Sequence, residues 1–317
     1  MLRARMFLGK RLMYSPFLAQ MVVIRRCNLT CGYCNEFDET SAPVPTDVLK
    51  ARIDHLKALG TFSLELTGGE PLMHPDIAEL IAYARKRDFY KVMMISNAYL
   101  LNQRKVEELN DAGLMEMQVS VDGVMPNDIT VKVLKPMMPK LKVLSQHAKF
   151  NVVLSAVLGA AKPEEVLTVV RTAKELGFRP RVLVLHDGGG QMRLSPGEQE
   201  VFAQVRRELG QRFKEAGDYR DRLLNEGSAP YKCRAGSRYL YVDEHGDIAW
   251  CSQTRGVFQK PLLSYTAADL REQFYTRKDC APSCTIGCVR TQSAYDEWRA
   301  QPGRFAGPKR LPIVDSP

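Results

Sequence analysis

The sequence has no long uninterrupted run of apolar residues. A membrane-spanning helix needs about 20 such residues in a row, so the sequence predicts a protein without a transmembrane segment. Near the N-terminus, Lys10 and Arg11 interrupt the apolar stretch that a secretion signal would need. Charged and apolar residues interleave over this segment, which favours a helix packed on the protein and leaves peripheral membrane contact as the alternative. Without a secretion signal, we expect a cytoplasmic protein.

Internal repeats, low-complexity tracts and stripes of lysine and arginine interleaved with aromatic residues are also missing. The absence of such stripes argues against nucleic-acid binding, although 45 Lys and Arg outnumber 36 Asp and Glu and give a net charge of +9. A positive surface attracts acidic partners over a long range. We therefore expect an acidic electron-carrier protein or an anionic substrate as a partner.

Cysteine is absent from a long central stretch and clustered on both sides of it. The eight cysteines form two groups: Cys27, Cys31 and Cys34, then Cys233, Cys251, Cys280, Cys284 and Cys288. In a reducing compartment, clustered cysteines indicate metal ligands before disulfides. Each group is therefore a candidate metal site.

Between the two groups, short apolar runs alternate with amphipathic segments. The runs predict strands over 17–24, 62–67, 91–96, 114–122, 150–158 and 181–187, and the segments between them predict helices over 45–60, 74–88, 101–112, 133–147 and 163–177. Such alternation predicts an α/β fold, either a parallel sheet or an α/β barrel with right-handed crossovers. Functional side chains then gather where the strands end.

Local signals predict how several of these elements begin and end. Thr46 is the expected cap of the first helix and Gly60 its end, and Asp76 is expected at the start of the second helix. Ser195 is expected to cap a helix over 196–216, after a turn at 188–191. The apolar stretches on either side of Gly246 predict a β-hairpin.

The first cysteine group, C-x3-C-x2-C, offers three thiolates close in sequence. Three thiolates hold three irons of a [4Fe–4S] cluster and leave the fourth iron without a protein ligand, so that it can bind a small molecule. The alternatives at this point are a zinc site completed from elsewhere and three unrelated buried thiols.

A second motif, "ELTGGEPLMHPD", follows the second predicted strand. Gly68 and Gly69 would let the backbone approach a ligand closely, and Glu70 would add a carboxylate suited to an ammonium group. Together with the cysteine triplet, this motif closely resembles the radical S-adenosylmethionine (radical SAM) superfamily. Tyr33, the aromatic residue before the third cysteine, "ISN" after the third strand and "VSVDG" after the fourth match the same pattern.

The resemblance implies a partial (β/α)6 TIM-like barrel and a reaction. Cys27, Cys31 and Cys34 would ligate a [4Fe–4S] cluster whose open iron chelates S-adenosylmethionine, and reductive cleavage would release a 5′-deoxyadenosyl radical that abstracts hydrogen from the substrate. The other expected cofactor-binding residues are Tyr33, Gly68, Gly69, Glu70, Ser96, Asn97, Ser120 and Asp122. A flavodoxin- or ferredoxin-type donor would supply the electron. No catalytic acid or base is identified beyond two weak candidates, His186 and Asp187.

The second cysteine group reads C-x12-G-x4-C followed by C-x3-C-x3-C. The first spacing resembles the SPASM/twitch modules that carry auxiliary clusters in many radical SAM enzymes, and five cysteines favour the shorter form with one auxiliary [4Fe–4S] cluster. The last spacing departs from the usual C-x2-C, so the ligands among Cys280, Cys284 and Cys288 stay open. A zinc knuckle is the structural alternative.

These observations divide the chain into an N-terminal basic segment (1–17), the barrel (18–195), a connecting helix (196–225), an auxiliary cluster domain (226–300) and a Pro-rich tail (301–317). The first choice of substrate is a small-molecule or lipid biosynthetic intermediate, because the short chain shows no attached recognition domain. The alternative is a peptide or protein side chain. A non-enzymatic electron carrier is a minor alternative, since it would need no open iron and no GGEP turn.

Overall fold

The structure is a computed structural model, and it describes residues 13–186, 192–209 and 214–299, without the side chains of 214–218. Asp187, the predicted turn at 188–191, most of the N-terminal segment and the tail lie outside these residues.

Six parallel strands form the centre of the molecule. They are β1 (Leu18–Ile24), β2 (Ser63–Gly68), β3 (Lys91–Ser96), β4 (Glu116–Ser120), β5 (Asn151–Leu158) and β6 (Arg179–Val184), and each pairs with its neighbour in chain order. This order, with an α-helix in each of the five crossovers, is that of a partial TIM-like barrel and confirms the predicted fold class.

Nine α-helices lie in the described part of the chain: α1 (Thr46–Ala58), α2 (Ile77–Lys86), α3 (Gln103–Asp111), α4 (Leu134–His147), α5 (Pro163–Glu175), α6 (Pro196–Leu209), α7 (Lys214–Glu226), α8 (Ala267–Tyr275) and α9 (Gly287–Ala294). Helix α6 begins where a helix was predicted over 196–216, and α7 covers the last residues of that range; residues 210–213 lie outside the described part of the chain. None of the described helices is both long and apolar enough to cross a membrane.

The two faces of the sheet differ in character. Ala19, Met21 and Val23 of β1 are buried against the helices. Gln20 of β1 and Glu65 of β2 alternate with them, face the opposite side and hydrogen-bond to each other. Because strand side chains alternate, these polar residues define an interior face of the sheet, away from the helices.

The C-terminal part of the chain extends the same sheet. Strand β7 (Tyr239–Val242) pairs in parallel with β1, and β8 (Asp247–Ala249) and β9 (Lys260–Pro261) follow antiparallel. The predicted hairpin is confirmed as β7 and β8. The second cysteine group is thereby attached to the edge of the barrel at β1.

Most of the predicted helix boundaries hold, but one cap is wrong. Thr46 is the first residue of α1 and not its cap: its hydroxyl donates to Asp76 at 2.5 Å and accepts from no amide of the helix. Gly60 ends this helix with φ +83°, as predicted. Ser195 and Glu198 form the predicted cap of α6, with the Ser195 amide donating to the Glu198 carboxylate at 2.7 Å.

Candidate cluster and cofactor site

The first three cysteines lie in a loop that follows β1 and closes on itself. The Cys27 amide donates to the Asp38 carbonyl at 3.0 Å, and the Asp38 amide donates to Arg25 at 3.1 Å. Inside this loop the Cys34 amide donates to the Cys31 carbonyl at 3.0 Å. The loop therefore holds the three thiols together at the carboxyl end of β1.

These thiols suit a shared inorganic cluster. None forms a disulfide, and burial raises the pKa of Cys27 and of Cys34, with the neighbouring cysteines raising it further. Partly buried thiolates that repel one another need a cationic partner. Within the described ranges, no three His, Cys, Asp or Glu side chains converge as the ligands of a single metal ion would.

Gly68 and Gly69 bring the end of β2 against the cysteine loop. Gly68 has φ +149°, and a β-carbon there would lie 2.0 Å from the Ile24 carbonyl oxygen. A β-carbon at Gly69 would lie 2.2 Å from the Arg25 oxygen and 2.4 Å from that of Arg26. The close approach predicted for these glycines is thus an approach to the protein's own loop backbone.

Glu70 is fully buried and has three donors within the protein. Its carboxylate accepts from the Leu72 amide (3.0 Å), the Ser96 hydroxyl (2.7 Å) and the Asn97 amide (2.7 Å). Burial raises the pKa of Glu70, while these hydrogen bonds favour its ionised form. The carboxylate therefore joins the turn after β2 to the end of β3.

Asn97 connects that turn to the cysteines. Its Nδ2 donates to Asn28 Oδ1 at 2.8 Å and lies 3.6 Å from Cys27 Sγ, and its Oδ1 accepts from the Tyr99 amide at 3.0 Å. Ser96 and Asn97 thus lie beside the first thiol group, with their polar atoms already bonded to protein.

Tyr33, which is partly buried, and the buried Asp122 form a polar group on the other side of the loop. The Tyr33 hydroxyl and the Thr130 hydroxyl each donate to Asp122 Oδ2 at 2.7 Å. Lys132 Nζ lies 4.7 Å from the centre of the Tyr33 ring. Asp122 Oδ1 is buried and finds no hydrogen-bond partner among the described residues, so this oxygen can accept from a ligand.

The remaining candidates lie at strand ends. Ser120 is the last residue of β4 and is paired with Ser155 of β5. His186 follows β6 and bridges to Met192. Asp187 lies outside the described residues.

Four cysteines of the second group lie close to one another beside β7. Cys233, Cys251, Cys280 and Cys284 are all buried. Burial and the neighbouring thiols raise the pKa of Cys280 to about 12, and that of Cys284 is raised as well. The buried Lys278 ammonium lies near this group, and burial lowers its pKa to about 8. Four such thiols fit the ligand set of one further cluster.

Cys288 packs against the same buried cluster as Cys233 and Cys251 and also approaches the polar residues of the interior face. Its Sγ is 4.0 Å from Gln20 Oε1. Burial and nearby Glu65 raise its pKa to about 11, while Arg181 acts in the opposite direction. Gln20 accepts from Tyr239 and donates to Glu65, so this thiol belongs to a polar group inside the barrel.

Several residues that surround the first thiol group or line the barrel interior were not predicted from the sequence. Lys132, Thr130 and Asn28 lie in loops and carry no spacing signal. Gln20 and Glu65 did leave a signal, because each interrupts an otherwise apolar strand. A polar residue in a buried parallel strand calls for a partner inside the protein.

Comparisons with known proteins agree with this geometry. The family model described as "Radical SAM superfamily" matches residues 21–192. The PqqA peptide cyclase of Bradyrhizobium diazoefficiens is 33% identical over 112 residues, covering 34% of this chain and 29% of that protein. The AdoMet-dependent heme synthase of Methanosarcina barkeri is 31% identical over 173 residues, covering 51% of this chain and 48% of that protein. The chain thus spans less than half of the length of either relative.

Solved structures share the fold. SuiB of Streptococcus suis aligns with a TM-score of 0.64 and 18% identity, covering 85% of this chain and 68% of SuiB. The same protein bound to its precursor peptide SuiA aligns with a TM-score of 0.61 at 18% identity, over 82% and 65% of the two chains. The protein anSMEcpe, with bound AdoMet and a peptide, aligns with a TM-score of 0.58 and 16% identity, over 84% and 85%. The alignment with SuiB covers 85% of this chain, which is more than the family model matches. The structural likeness therefore extends beyond residue 192.

Proposed function

We propose that this chain, which belongs to the radical SAM superfamily, oxidatively modifies a side chain of a peptide substrate. As a member of that family it is an enzyme that uses S-adenosylmethionine and a [4Fe–4S] cluster. The sequence alone gave first place to a small-molecule or lipid substrate. The similarity to a peptide cyclase and to a structure bound to a precursor peptide instead supports the peptide alternative.

The observation that carries this proposal is the position of the second thiol group. Cys233 and Cys251 belong to one buried cluster with Leu18, Val22 and Met93, from β1 and β3. A cluster held there would be separated from the barrel interior only by this layer of side chains. It could therefore accept the electron left on a substrate radical, as a net two-electron oxidation requires.

We assign roles to the candidate residues on the same basis. Cys27, Cys31 and Cys34 would hold the cluster that binds S-adenosylmethionine; Cys233, Cys251, Cys280 and Cys284 would hold an auxiliary [4Fe–4S] cluster in a domain that begins near residue 226. Cys288 would not be a ligand, because its contacts are Gln20, Tyr239 and Glu65.

For S-adenosylmethionine, the backbone of the turn at Gly68 and Gly69 would meet the ammonium group. The Glu70 carboxylate would keep that turn in place through its bonds to Ser96 and Asn97. The partnerless Asp122 Oδ1 would accept from a ribose hydroxyl, with Tyr33 and Thr130 fixing the carboxylate.

The bound cofactors supply a 5′-deoxyadenosyl radical, and the protein supplies confinement and orientation. The barrel interior excludes water from the radical and holds one C–H bond of the substrate within its reach. The interior polar group of Gln20, Glu65 and Tyr239 would orient the substrate. An acidic flavodoxin- or ferredoxin-type protein would deliver the electron, attracted by the net charge of +9.

A small-molecule substrate is the second candidate. The alignment with the AdoMet-dependent heme synthase covers 51% of this chain, more than that with the peptide cyclase. This observation favours a carboxylated tetrapyrrole as the alternative probe.

The test uses peptides encoded by short reading frames beside the gene. Each peptide is incubated with S-adenosylmethionine and the anaerobically reconstituted, reduced enzyme, and we expect one of them to lose the mass of two hydrogen atoms as 5′-deoxyadenosine forms. The variant with Cys27, Cys31 and Cys34 changed to alanine is the control and should form neither product. An unchanged peptide together with an altered tetrapyrrole would replace the proposal with the second candidate.

A further inference from the structure

The hydroxyl of Tyr231 is bonded to a thiol of the second group. It donates to Cys284 Sγ at 3.3 Å, and the phenol packs against the buried cluster that contains Cys233 and Cys251. Cys284 and Cys233 are themselves buried. The hydrogen bond is therefore made beside two of the four clustered thiols, in a place that water reaches poorly.

Arg290 fixes the Tyr231 ring in this position. Its guanidinium carbon lies 4.3 Å from the centre of the ring, where a cation is attracted to an aromatic face. Its Nε donates to the Cys284 carbonyl at 2.7 Å, so the same arginine is tied to the backbone of the thiol that accepts from Tyr231. The phenol is thus held beside Cys284 through both its ring and its hydroxyl.

Tyr219 also contacts Arg290 and provides a contrast. The guanidinium carbon of Arg290 lies 4.5 Å from the centre of the Tyr219 ring. The buried Tyr219 hydroxyl, however, has no hydrogen-bond partner among the described residues. Two tyrosines therefore share one arginine, and Tyr231 is the one that bonds to a thiol.

A hydrogen bond to a ligand sulfur changes the reduction potential of an iron–sulfur cluster. The bond is stronger to the reduced cluster, because that form carries one more negative charge, and it therefore favours reduction. The low dielectric constant around buried thiols increases the effect. A cluster held by Cys284 would thus be easier to reduce with the Tyr231 hydroxyl than without it.

We propose that the Tyr231 hydroxyl raises the reduction potential of the auxiliary cluster and so enables this cluster to oxidise the substrate radical. This inference rests on the proposed function, because a net oxidation needs an electron acceptor. The 5′-deoxyadenosyl radical removes one hydrogen atom from the peptide, the oxidised cluster takes one electron, and one proton leaves to solvent. The reduced cluster then passes its electron to the flavodoxin- or ferredoxin-type carrier. Tyr231 is a positioning residue in this step, since it acts through Cys284.

The buried ammonium group of Lys278 offers a rival explanation. It donates to the Gln273 carbonyl at 2.5 Å and lies 5.5 Å from the centre of the Trp250 ring. Burial lowers its pKa, and attraction to Cys233 and Cys280 acts in the opposite direction. A positive charge near the thiols would also favour the reduced cluster. The experiment therefore separates the loss of the hydroxyl from the loss of the ammonium group.

The test is a redox titration of the auxiliary cluster alone. The full chain with Cys27, Cys31 and Cys34 changed to alanine is reconstituted anaerobically, and electron paramagnetic resonance follows the reduced cluster as the potential is varied. Adding Tyr231→Phe to this parent variant removes the hydroxyl and keeps the ring beside Arg290. We expect the equilibrium constant for one-electron reduction to fall about tenfold, which is a potential about 59 mV lower.

Two further variants serve as controls, and iron and sulfide analysis shows that each retains the cluster. Tyr219→Phe is matched to Tyr231→Phe, because it removes a hydroxyl near the same arginine that is not bonded to a thiol, and it should leave the potential unchanged. Lys278→Met removes the ammonium group but keeps an unbranched side chain. Adding Tyr231→Phe to Lys278→Met should still lower the potential.

A second arm measures the reaction in the chain that keeps all three cysteines of the first group. Tyr231→Phe should still form 5′-deoxyadenosine from S-adenosylmethionine, because the first cluster is unchanged. The amount of oxidised peptide formed for each 5′-deoxyadenosine should fall about tenfold, whereas Tyr219→Phe should keep the original ratio. An unchanged ratio despite a lowered potential would show that the cluster does not accept this electron.

Several results would overturn the proposal. An unchanged potential in Tyr231→Phe would contradict it, as would equal shifts in Tyr231→Phe and Tyr219→Phe, which would reflect a general disturbance of this buried region. A potential that falls only when Lys278 is replaced would assign the effect to the ammonium group. A potential lowered by Tyr231→Phe in a protein that modifies no peptide would leave the role of the hydroxyl standing and refute the proposed function alone.

Discussion

At the end of β2, single atoms decide whether the cysteine loop can form. The missing β-carbons of Gly68 and Gly69 make room for the carbonyls of Ile24 and Arg25, and the Glu70 carboxylate ties this turn to Ser96 and Asn97. The motif thus supports the first thiol group as well as any ligand beside it.

Gly69→Ala should displace the cysteine loop. Its β-carbon would lie 2.2 Å from the Arg25 oxygen, and backbone cannot yield as a flexible side chain can, so we expect a loss of about 3 kcal/mol of stability and of most iron from the first site. Iron analysis and denaturant unfolding measure both effects. Gly197→Ala is the matched control, because no atom lies within 4 Å of its β-carbon; equal iron in the two variants would contradict this account.

Asp122→Asn tests the partnerless oxygen next to Tyr33. An amide placed there cannot accept two sets of hydrogen bonds as a carboxylate does, so the affinity for S-adenosylmethionine should fall about tenfold. Thr130→Val removes one donor to Oδ2 and leaves Oδ1 unchanged, so it should destabilise the protein while largely preserving affinity. Equilibrium dialysis under anaerobic conditions measures the affinity of each variant for S-adenosylmethionine. Equal losses of affinity in the two variants would contradict the role given to Oδ1.

Residue types and spacing identified candidate residues for the first site, but not their partners within the protein. The pattern at Glu70 suggested a ligand contact, whereas the carboxylate accepts three bonds from its own chain. Lys132 and Thr130 could not be predicted, because they reach Asp122 only through the path of a loop. The sequence pattern does not encode which side chains meet across such a loop.

At the scale of elements, periodicity predicted the strands and helices of the barrel well. The alternation of apolar runs gave all six parallel strands, since buried strands and amphipathic helices differ in period. The pairing of β7 with β1 was missed, because strand order depends on contacts far apart in the chain.

The capping box of α8 gives a prediction at this scale. Thr266 accepts from the Asp269 amide, and the Asp269 carboxylate accepts from Thr266 and from Lys260. Thr266→Ala should cost about 1 kcal/mol of unfolding free energy. Thr168→Ala, at an exposed position inside α5, is the control and should be neutral or slightly stabilising.

The same box has a predictable pH dependence. Burial alone would raise the pKa of Asp269, but the bonds from Lys260 and Thr266 lower it overall. Its stabilisation is therefore complete above the unfolded pKa and is lost as pH falls through the folded pKa. Asp269→Asn should lower stability at neutral pH and reduce the loss on acidification; an unchanged acid transition would contradict this assignment.

At the scale of the whole molecule, the sheet joins the two thiol groups into one structure. The first group follows β1 directly, and the second lies behind β7, which pairs with β1. The positive net charge was evident from composition, whereas the contact between Cys288 and Gln20 required the structure.

The net charge of +9 predicts how the electron donor docks. Reduction by an acidic flavodoxin should slow by about tenfold when salt is raised well above physiological strength, because screening removes long-range attraction. Reduction by a small photochemical reductant should change little under the same conditions. A flavodoxin rate that does not depend on salt would contradict electrostatic docking.

The central claim is that the chain holds two clusters, and iron analysis tests it most directly. The variant with Cys27, Cys31 and Cys34 changed to alanine is purified and reconstituted anaerobically, and its iron and acid-labile sulfide are measured. We expect about four irons to remain, as one [4Fe–4S] cluster requires; adding Cys284→Ala should remove them, and adding Cys288→Ala should not. Zinc or no metal in place of this iron would contradict the account and leave an enzyme with a single cluster.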